Sequence, residues 1–247
     1  MDYLKNEADS KLKLQVVHTD SIEKAETLMR LVAGFNNEVS LVFCNHREAV
    51  ERISSLLTDH DFAHGTLHGG MEQIDREKNL IKFRGGACNV LIATDLASRG
   101  LDIPEIKHVV HYQLPPKEDA FTHRNGRTAR MHAEGQAYLV LAHDENLPEY
   151  IDKEVEELNL PDKLKLPAPP EYTCVYISAG KKDKISKGDI VGLFTKKGEL
   201  SSGDIGQITL LDFASYVSVK KGKVNKLLSK LKNEKLKKMK VKMEEAN

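Results

Sequence analysis

The sequence has few cysteines and no long apolar run, and each lack excludes a class of protein. Its 247 residues contain three cysteines, Cys44, Cys88 and Cys174. Because they are odd in number, far apart and without C-x-x-C spacing, neither a zinc site nor a disulfide framework is indicated. No apolar run is long enough to cross a bilayer, and the first residues do not show a signal-peptide pattern. We therefore expect a cytoplasmic protein with buried, reduced thiols, no membrane partner and no metal ligands of its own.

The net charge of zero conceals two halves of opposite sign. Residues 1–170 contain 20 Lys plus Arg and 28 Asp plus Glu, a net charge of −8. Residues 171–247 contain 17 Lys, no Arg and 9 acids, a net charge of +8. Such a split predicts two domains with different partners, and the basic half suits a polyanion such as nucleic acid. On composition alone, a solvated lysine-rich surface is the alternative.

Short apolar runs alternate with helical patterns along residues 1–160, which we interpret as one domain. This alternation predicts an α/β fold, in which a parallel sheet is covered by helices on both faces. Asp20 followed by Glu23 resembles a capping box for the first helix. Another helix is expected near 144–159. The strand-like runs lie at 12–18, 39–45, 63–70, 89–95, 108–114 and 135–142.

Four prolines between positions 161 and 170 mark the end of this domain. Proline lacks an amide donor and resists helix, so residues 161–171 are predicted to be a linker. The pattern of residues 172–247 then predicts the order β-α-β-β-α-β, with its last strand at 236–243. This small α+β plan is that of RRM-like RNA-binding domains.

The sharpest chemical signal is the segment HRNGRTAR at residues 123–130. Its arginines are three residues apart, so a helix or turn places Arg124, Arg127 and Arg130 on one side. Planar guanidinium groups suit phosphate oxygens, on which charge is spread during phosphoryl transfer. We therefore expect all three arginines to project into a cleft. As a basic cluster alone, the segment is more typical of a solvated turn.

Three further segments carry polar residues past the ends of predicted strands. Ligands of open α/β sheets bind just beyond the carboxyl ends of the strands, where these residues are expected. The start of the helix after residue 70 also offers free amides to a phosphate. The residues brought to this edge are Asn45, Arg47, Gly69, Gly70, Gln73, Arg76, Thr94, Asp95, Arg99, Gly100 and Asp102.

Together these segments resemble the DEAD-box family of RNA helicases, specifically the second of its two RecA-like domains. HRNGRTAR resembles motif VI, ATDLASRGLDIP motif V, SLVFCNHR motif IV, and QIDR the Q-x-x-R element after it. The resemblance spans essentially residues 11–160, with the motifs in the expected order and spacing. It implies a RecA-like sheet, ATP and Mg²⁺ as cofactors, and RNA as substrate.

The resemblance also implies a role for each matching residue. Arg127 and Arg130 would be catalytic arginine fingers that meet the γ-phosphate of ATP, and Asp102 would bind the ribose hydroxyls. The residues implied to couple the ATP face to the partner lobe are His123, Arg124 and Asp95. Those implied to contact the RNA, mainly its backbone, are Arg47, Gly70, Arg76, Thr94 and Arg99.

Two elements that ATP hydrolysis requires are absent from the sequence. There is no G-x-x-x-x-G-K-[ST] loop to cradle phosphates and no D-E-A-D tetrad to hold magnesium. In the DEAD-box family both lie on the first RecA-like lobe. The resemblance thus implies that this chain is a piece of a longer protein, that an amino-terminal lobe is its partner, and that the chain alone does not turn over ATP.

The basic half contains the run ISAGKKDKI followed by GDIVG. This run resembles the carboxy-terminal RNA-binding domain of DbpA-type DEAD-box proteins, over most of residues 171–243. The resemblance implies a monomeric bacterial protein that grips a hairpin of large-subunit ribosomal RNA during ribosome assembly. Lys181, Lys182 and Lys184 would contact phosphates, which predicts salt-dependent affinity.

Aromatic residues of the basic half are compared with the stacking positions of an RRM. Tyr176 fits the position of the RNP2 ring and is a candidate RNA-binding residue. Phe213, Tyr216 and Val219 lie where RNP1 is expected, but the usual glycine and aromatic spacing is not reproduced. A purely structural role in a sheet and its core is the alternative for each.

Two other classes of function stay open at this point. A stand-alone RNA-binding module could use a non-catalytic RecA-like fold, although the complete arginine set argues against it. A nucleotide-binding metabolic enzyme would share the sheet but lacks a Gly-rich fingerprint here. His60, His64 and His68 are four residues apart, but glycines interrupt any helix and no carboxylate completes a metal site.

Overall fold

A seven-stranded parallel sheet forms the centre of the first part of the chain. The computed structural model describes residues 12–98, 106–128, 135–151, 155–161 and 165–246. The strand order is β3-β4-β2-β5-β6-β1-β7, and every neighbouring pair is parallel. The strands are β1 (Leu12–Thr19), β2 (Ser40–Cys44), β3 (His64–Leu67), β4 (Val90–Thr94), β5 (His108–His111), β6 (Gly135–Ala142) and β7 (Glu156–Glu157). The helices are α1 (Lys24–Gly34), α2 (Arg47–Asp59), α3 (Gln73–Arg84), α4 (Asp95–Ser98) and α5 (Glu118–Asn125).

Side chains that alternate along β1 enter two different apolar cores. Val17 joins the core built with α1 and α2, whereas Val16 joins a core with Leu139 and Leu141 of β6. Phe121 of α5 packs against that second core. Because successive side chains of a strand point to opposite faces, the sheet is covered on both sides, as predicted.

Two local predictions for this unit are wrong. The described residues between 144 and 159 contain no helix. Instead β7 lies beside β1, and the Leu158 amide donates to the Val16 carbonyl at 2.8 Å. The open edge of β1 thus supplies hydrogen bonds that a local pattern does not reveal. The proposed capping box also fails, because Glu23 is the N-cap of α1 and its side chain makes no capping hydrogen bond.

The second unit is a four-stranded antiparallel sheet packed on two helices. It begins at Pro170 and, by its contacts, also includes residues 77–88. The sheet order is β13-β8-β10-β9, and the chain order is β-α-β-β-α-β with an added hairpin. Its elements are β8 (Tyr172–Ile177), α6 (Lys187–Lys196), β9 (Ile205–Leu210), β10 (Ser215–Lys220), α7 (Lys221–Leu231), β11 (Lys235–Leu236), β12 (Met239–Lys240) and β13 (Met243–Glu245).

The last strand of this unit lies further along the chain than predicted. Residues 236–243 do not form one strand, because β11 and β12 make a hairpin and the sheet strand begins at Met243. Lys237 has a φ of 57° at the hairpin turn. A left-handed residue reverses the chain and cannot continue an extended strand, so alternation of apolar residues alone gave the wrong boundary.

Candidate functional site

Arg124 lies in the last turn of α5 and is only 1% exposed. Its Nε and Nη2 donate to the two carboxylate oxygens of Asp95, each at 2.7 Å. Nη1 donates to the Gln113 carbonyl at 2.7 Å, and Nη2 also donates to Asn45 Oδ1 at 2.8 Å. The guanidinium carbon lies 5.0 Å from the centroid of the Phe43 ring. The prediction that Arg124 projects into a cleft is therefore wrong, because its guanidinium is engaged inside the protein.

This network joins residues that follow three neighbouring strands. Asn45 follows β2, Asp95 follows β4, and Gln113 lies just beyond β5. The backbone amide of Asn45 donates to Gln113 Oε1 at 2.9 Å, and its side-chain Nδ2 donates to the Leu114 carbonyl at 2.9 Å. Gln113 was not predicted as a site residue, because the predicted strand 108–114 included it, whereas β5 ends at His111. The carboxyl edge of the sheet is thus tied to α5 through one arginine.

Arg127 lies in the turn that continues from α5. Its amide donates to the Arg124 carbonyl at 3.1 Å, and its side chain is half-buried. The next residue anchors the turn, because Thr128 Oγ1 donates to the Lys107 carbonyl at 3.2 Å. The backbone that carries Arg127 is therefore held between Arg124 and Thr128. His123 is exposed, and the predicted site residues Arg130, Asp102 and Arg99 lie outside the described residues.

A second buried contact holds α5 against β5. His111 is fully buried, and its Nε2 lies 2.9 Å from Asn125 Oδ1. Its ring centroid is 4.7 Å from that of Phe121. Burial lowers the pKa of His111 to about 3, so the ring is neutral near pH 7. Asn125 Oδ1 can only accept, so the neutral ring must donate from Nε2.

Some of the residues implied to contact RNA lie where β3 and β4 end, at the same carboxyl edge of the sheet. Leu67 pairs with Ala93, which places the loop after β3 beside Thr94. A Cβ atom on Gly70 would lie 3.5 Å from Arg47 Nη1. Gly70 and Arg47 are therefore close neighbours at this edge.

Arg76 connects the start of α3 to α4. Its Nη2 lies 3.5 Å from the Ala97 carbonyl, and its Nη1 lies 3.4 Å from Gln73 Oε1. Its Nε is buried, with no hydrogen-bond partner among the residues that the structure describes. Arg47 is exposed and donates from Nε to Glu48. The structure thus brings Arg47 and Gly70 together, and links Arg76 to the helix that follows Thr94.

In the second unit, Lys181, Lys182 and Lys184 are all exposed on a loop directly after β8. The backbone of this loop is bonded to the turn between β9 and β10. The Lys181 amide donates to the Leu211 carbonyl at 2.9 Å, and the Lys182 amide donates to the Asp212 carbonyl at 2.8 Å. The three ammonium groups are therefore carried by an ordered turn rather than by a loose tail.

Lys237 of the β11–β12 hairpin braces this lysine loop. Its Nζ donates to the Lys184 carbonyl at 2.6 Å and lies 3.0 Å from Asp189 Oδ2. The hydroxyl and amide of Ser186 donate to the same Asp189 oxygen. These hydrogen bonds from Ser186, then the contact with Lys237, lower the pKa of Asp189 to about 2. The loop, the start of α6 and the hairpin thus form one bonded assembly.

The three residues compared with RNP1 differ in their exposure. Val219 is fully buried in the core on the helix side of the sheet. Tyr216 is 6% exposed, and its ring centroid lies 5.5 Å from that of the half-buried Tyr176 in an edge-to-face arrangement. Phe213 instead lies on the β9–β10 turn and is 70% exposed. Only Phe213 of the three presents most of its surface to solvent.

The described ranges contain neither a cluster of metal ligands nor a membrane-spanning helix. No group of three or more His, Cys, Asp or Glu residues there could hold a metal ion. No helix there is long and apolar enough to span a bilayer.

Comparison with known proteins matches both units to described families. The helicase conserved C-terminal domain matches residues 23–132, and the DbpA RNA binding domain matches residues 174–245. The ATP-dependent RNA helicase DbpA of Bacillus subtilis (strain 168) is 30% identical over 99% of this chain and 59% of its own length. DbpA of Escherichia coli (strain K12) is 31% identical over 92% of this chain and 51% of its own length.

The parallel sheet also matches a solved structure. The Escherichia coli DEAD-box protein SrmB superposes with a TM-score of 0.56 and 31% identity, over 64% of this chain and 95% of that chain. This likeness confirms the RecA-like fold. This chain spans between half and three-fifths of the length of its two DbpA relatives. Taken with the two domain matches, these likenesses show that the chain belongs to the DEAD-box RNA helicases of DbpA type and contains their second RecA-like domain followed by a DbpA RNA-binding domain.

Proposed function

We propose that this chain is the carboxy-terminal portion of an ATP-dependent RNA helicase that acts when a first RecA-like lobe closes on it. Arg127 and Arg130 are proposed as arginine fingers on the γ-phosphate of ATP, and Asp102 as the ribose contact. The first lobe would hold Mg²⁺. Closure would couple ATP binding to a strained RNA conformation that a paired strand cannot share, and hydrolysis would reopen the cleft.

The observation that carries this proposal is the anchoring of α5 by Arg124. Four hydrogen bonds from one buried guanidinium fix the helix end to the carboxyl edge of the sheet. Arg127 follows three residues later, on a turn that Thr128 also holds. Preorganised cations stabilise the charge that develops in a phosphoryl-transfer transition state without a reorganisation cost. Arg124 and Asp95 are therefore proposed as coupling residues and Arg127 as a catalytic one.

The second unit is proposed to hold structured RNA. Exposed lysines on an ordered loop supply point charges for phosphates, which position RNA without reading its sequence. Arg47, Gly70, Arg76, Thr94 and Arg99 are the proposed backbone contacts of the first unit. On the family resemblance, we further propose large-subunit ribosomal RNA as the target, ribosome assembly as the process, and a cytoplasmic monomer as the acting form.

A chimera tests the catalytic proposal directly. The first RecA-like lobe of the Bacillus subtilis relative would be joined ahead of this chain, and RNA-stimulated phosphate release would be measured. We expect turnover by the chimera and none by the chain alone. Arg127→Ala should reduce turnover by about 10³–10⁵-fold, since an arginine finger commonly contributes that much.

Lys13→Ala is the matched control, because it also removes one positive charge. Lys13 is exposed and lies at the amino end of β1, whereas the proposed site lies at the carboxyl edge of the sheet. It should leave turnover unchanged. Equal rates for the Arg127→Ala and Lys13→Ala chimeras would refute the finger assignment. An inactive chimera, together with salt-dependent RNA binding by the chain, would favour the alternative of a non-catalytic RNA-binding module.

A further inference from the structure

We infer that Phe213 is a base-stacking residue, and that its turn and the lysine loop form a single surface for an unpaired nucleotide of the bound RNA. This inference rests on the proposed RNA-binding function and names the group that would contact a base. An isolated exposed apolar side chain is ordinary on a protein surface. Phe213 differs from such a side chain in its ordered and basic surroundings.

The turn that carries Phe213 is hydrogen-bonded to the lysine loop. Residues Leu211 and Asp212 accept backbone hydrogen bonds from Lys181 and Lys182, at 2.9 and 2.8 Å. Phe213 is the next residue in the chain, so its ring emerges from a segment bonded directly to the lysine loop. The two segments are also in close contact, because a Cβ atom on Gly180 would lie 2.3 Å from the Leu211 carbonyl oxygen.

Further hydrogen bonds hold the turn that carries Phe213 in place. Ser215 Oγ donates to the Ala179 carbonyl at 2.6 Å, and the Leu211 amide donates to the Ala214 carbonyl at 2.8 Å. The turn that carries Phe213 is therefore braced on both sides. A ring on an ordered turn loses little backbone freedom when a base stacks on it, which favours binding.

The segments next to Phe213 carry more lysines than acids. Lys181, Lys182 and Lys184 are exposed on the neighbouring loop. Two acids are also close. Asp183 accepts a hydrogen bond from the Gly180 amide at 2.9 Å, whereas Asp212 is exposed and directly precedes Phe213 in the chain. Lysines outnumber acids, so phosphates on either side of a stacked base would meet positive charge.

The chemistry of this combination favours RNA with an unpaired base. Aromatic rings stack on the faces of unpaired bases, and basic residues follow the adjacent backbone. A paired stem keeps its bases stacked on each other and offers no face to Phe213. The predicted occupant is therefore a single-stranded loop or overhang rather than a continuous duplex.

The test uses the full chain and an RNA hairpin whose loop carries 2-aminopurine, placed in turn at each loop position. Stacking on a ring changes 2-aminopurine fluorescence, and binding is measured in parallel. Phe213→Ala should weaken binding by about five- to a hundredfold and abolish the fluorescence change. Phe213→Leu should behave like Phe213→Ala because it keeps apolar bulk without a π-face, whereas Phe213→Trp should retain both signals.

Two controls separate this inference from the proposed function. Lys182→Ala should lower the slope of log affinity against log salt by about 0.7–0.9, whereas Phe213→Ala should leave that slope unchanged. Leu166→Ala, at another exposed apolar residue, should change neither. If the chain binds RNA with the expected salt dependence while Phe213→Ala or Phe213→Leu binds like the unaltered chain, that result refutes stacking and leaves the proposed RNA binding intact. If the unaltered chain shows no salt-dependent RNA binding, the proposed function of the second unit fails first.

Discussion

The two units of this protein use positive charge in opposite ways. In the parallel-sheet unit, Arg124 is 1% exposed and makes four hydrogen bonds within the protein. The second unit is rich in lysine, and residues 171–247 contain no arginine at all. Arginine suits a buried, planar and bidentate contact, whereas lysine is a strongly hydrated point charge. In the first unit the buried charge of Arg124 thus organises the fold, whereas Lys181, Lys182 and Lys184 of the second unit are exposed and are proposed to bind phosphates.

The largest expected effect comes from removing the buried arginine. Arg124→Ala removes the two-point ion pair with Asp95, which should lower the free energy of unfolding of the first unit by about 3 kcal/mol. Arg124→Lys should also be strongly destabilising, because an ammonium cannot reproduce the two-point contact. Urea titration measures both variants. Lys13→Ala breaks an exposed pair with Glu156 and should cost at most about 0.5 kcal/mol. Equal losses of stability in Arg124→Ala and Lys13→Ala would contradict the structural role of Arg124.

The second-largest effect is expected at Gly180, where the lysine loop packs closely against the β9–β10 turn. Gly180→Ala would place a Cβ 2.3 Å from the Leu211 carbonyl oxygen and 2.7 Å from the Ala214 amide nitrogen. Both are backbone atoms, so relief requires the loop to shift, and the second unit should lose about 2 kcal/mol. Gly192→Ala is the matched control, since nothing lies within 4 Å of its Cβ position in α6. It should stabilise the unit by up to about 1 kcal/mol, as calorimetry would show.

Acid should weaken the first unit through its buried histidine. The folded-state pKa of His111 is about 3, and an unfolded histidine has a pKa of about 6.5. Between these values the unfolded chain binds more protons, so stability falls as the pH decreases. The cost from pH 6.5 to pH 5 should be about 1.7 kcal/mol.

Denaturation curves at several pH values would measure how the free energy of unfolding changes with pH. His111→Asn should make that dependence shallower. Burial also lowers the pKa of His108, which acts in the same direction and should survive in that variant. An unchanged slope in His111→Asn would contradict the assignment to His111.

The smallest effect on stability is expected at the lysine surface itself. Lys181→Ala removes an exposed charge and should change the free energy of unfolding by no more than about 0.5 kcal/mol. It should nevertheless reduce the salt dependence of RNA binding, because each lost phosphate contact removes about one counterion. A loss of stability comparable to that of Arg124→Ala would show that the lysines, too, serve the fold.

Local pattern was sufficient for the regular elements and insufficient at their margins. The apolar strands β2, β4 and β6 and the helix that carries Val50 and Ile53 were predictable, because burial imposes a regular period on the sequence. Residues 156–157 were misassigned because their pairing partner, β1, is more than a hundred residues away in the chain. The final strand was misplaced because one left-handed residue, Lys237, ends the alternation.

The sequence by itself determined the alternating α/β plan, the order of the basic second unit and the position of Asn45 and Asp95 at the carboxyl edge. These follow from periodicity and from the strand ends, which are local properties. Only the tertiary structure decided that Arg124 is buried against Asp95, that Gln113 and His111 hold α5, and that Phe213 is exposed while Val219 is core. Burial and hydrogen-bond partners depend on residues distant in the chain, so identical residue types acquire different roles only once the chain has folded.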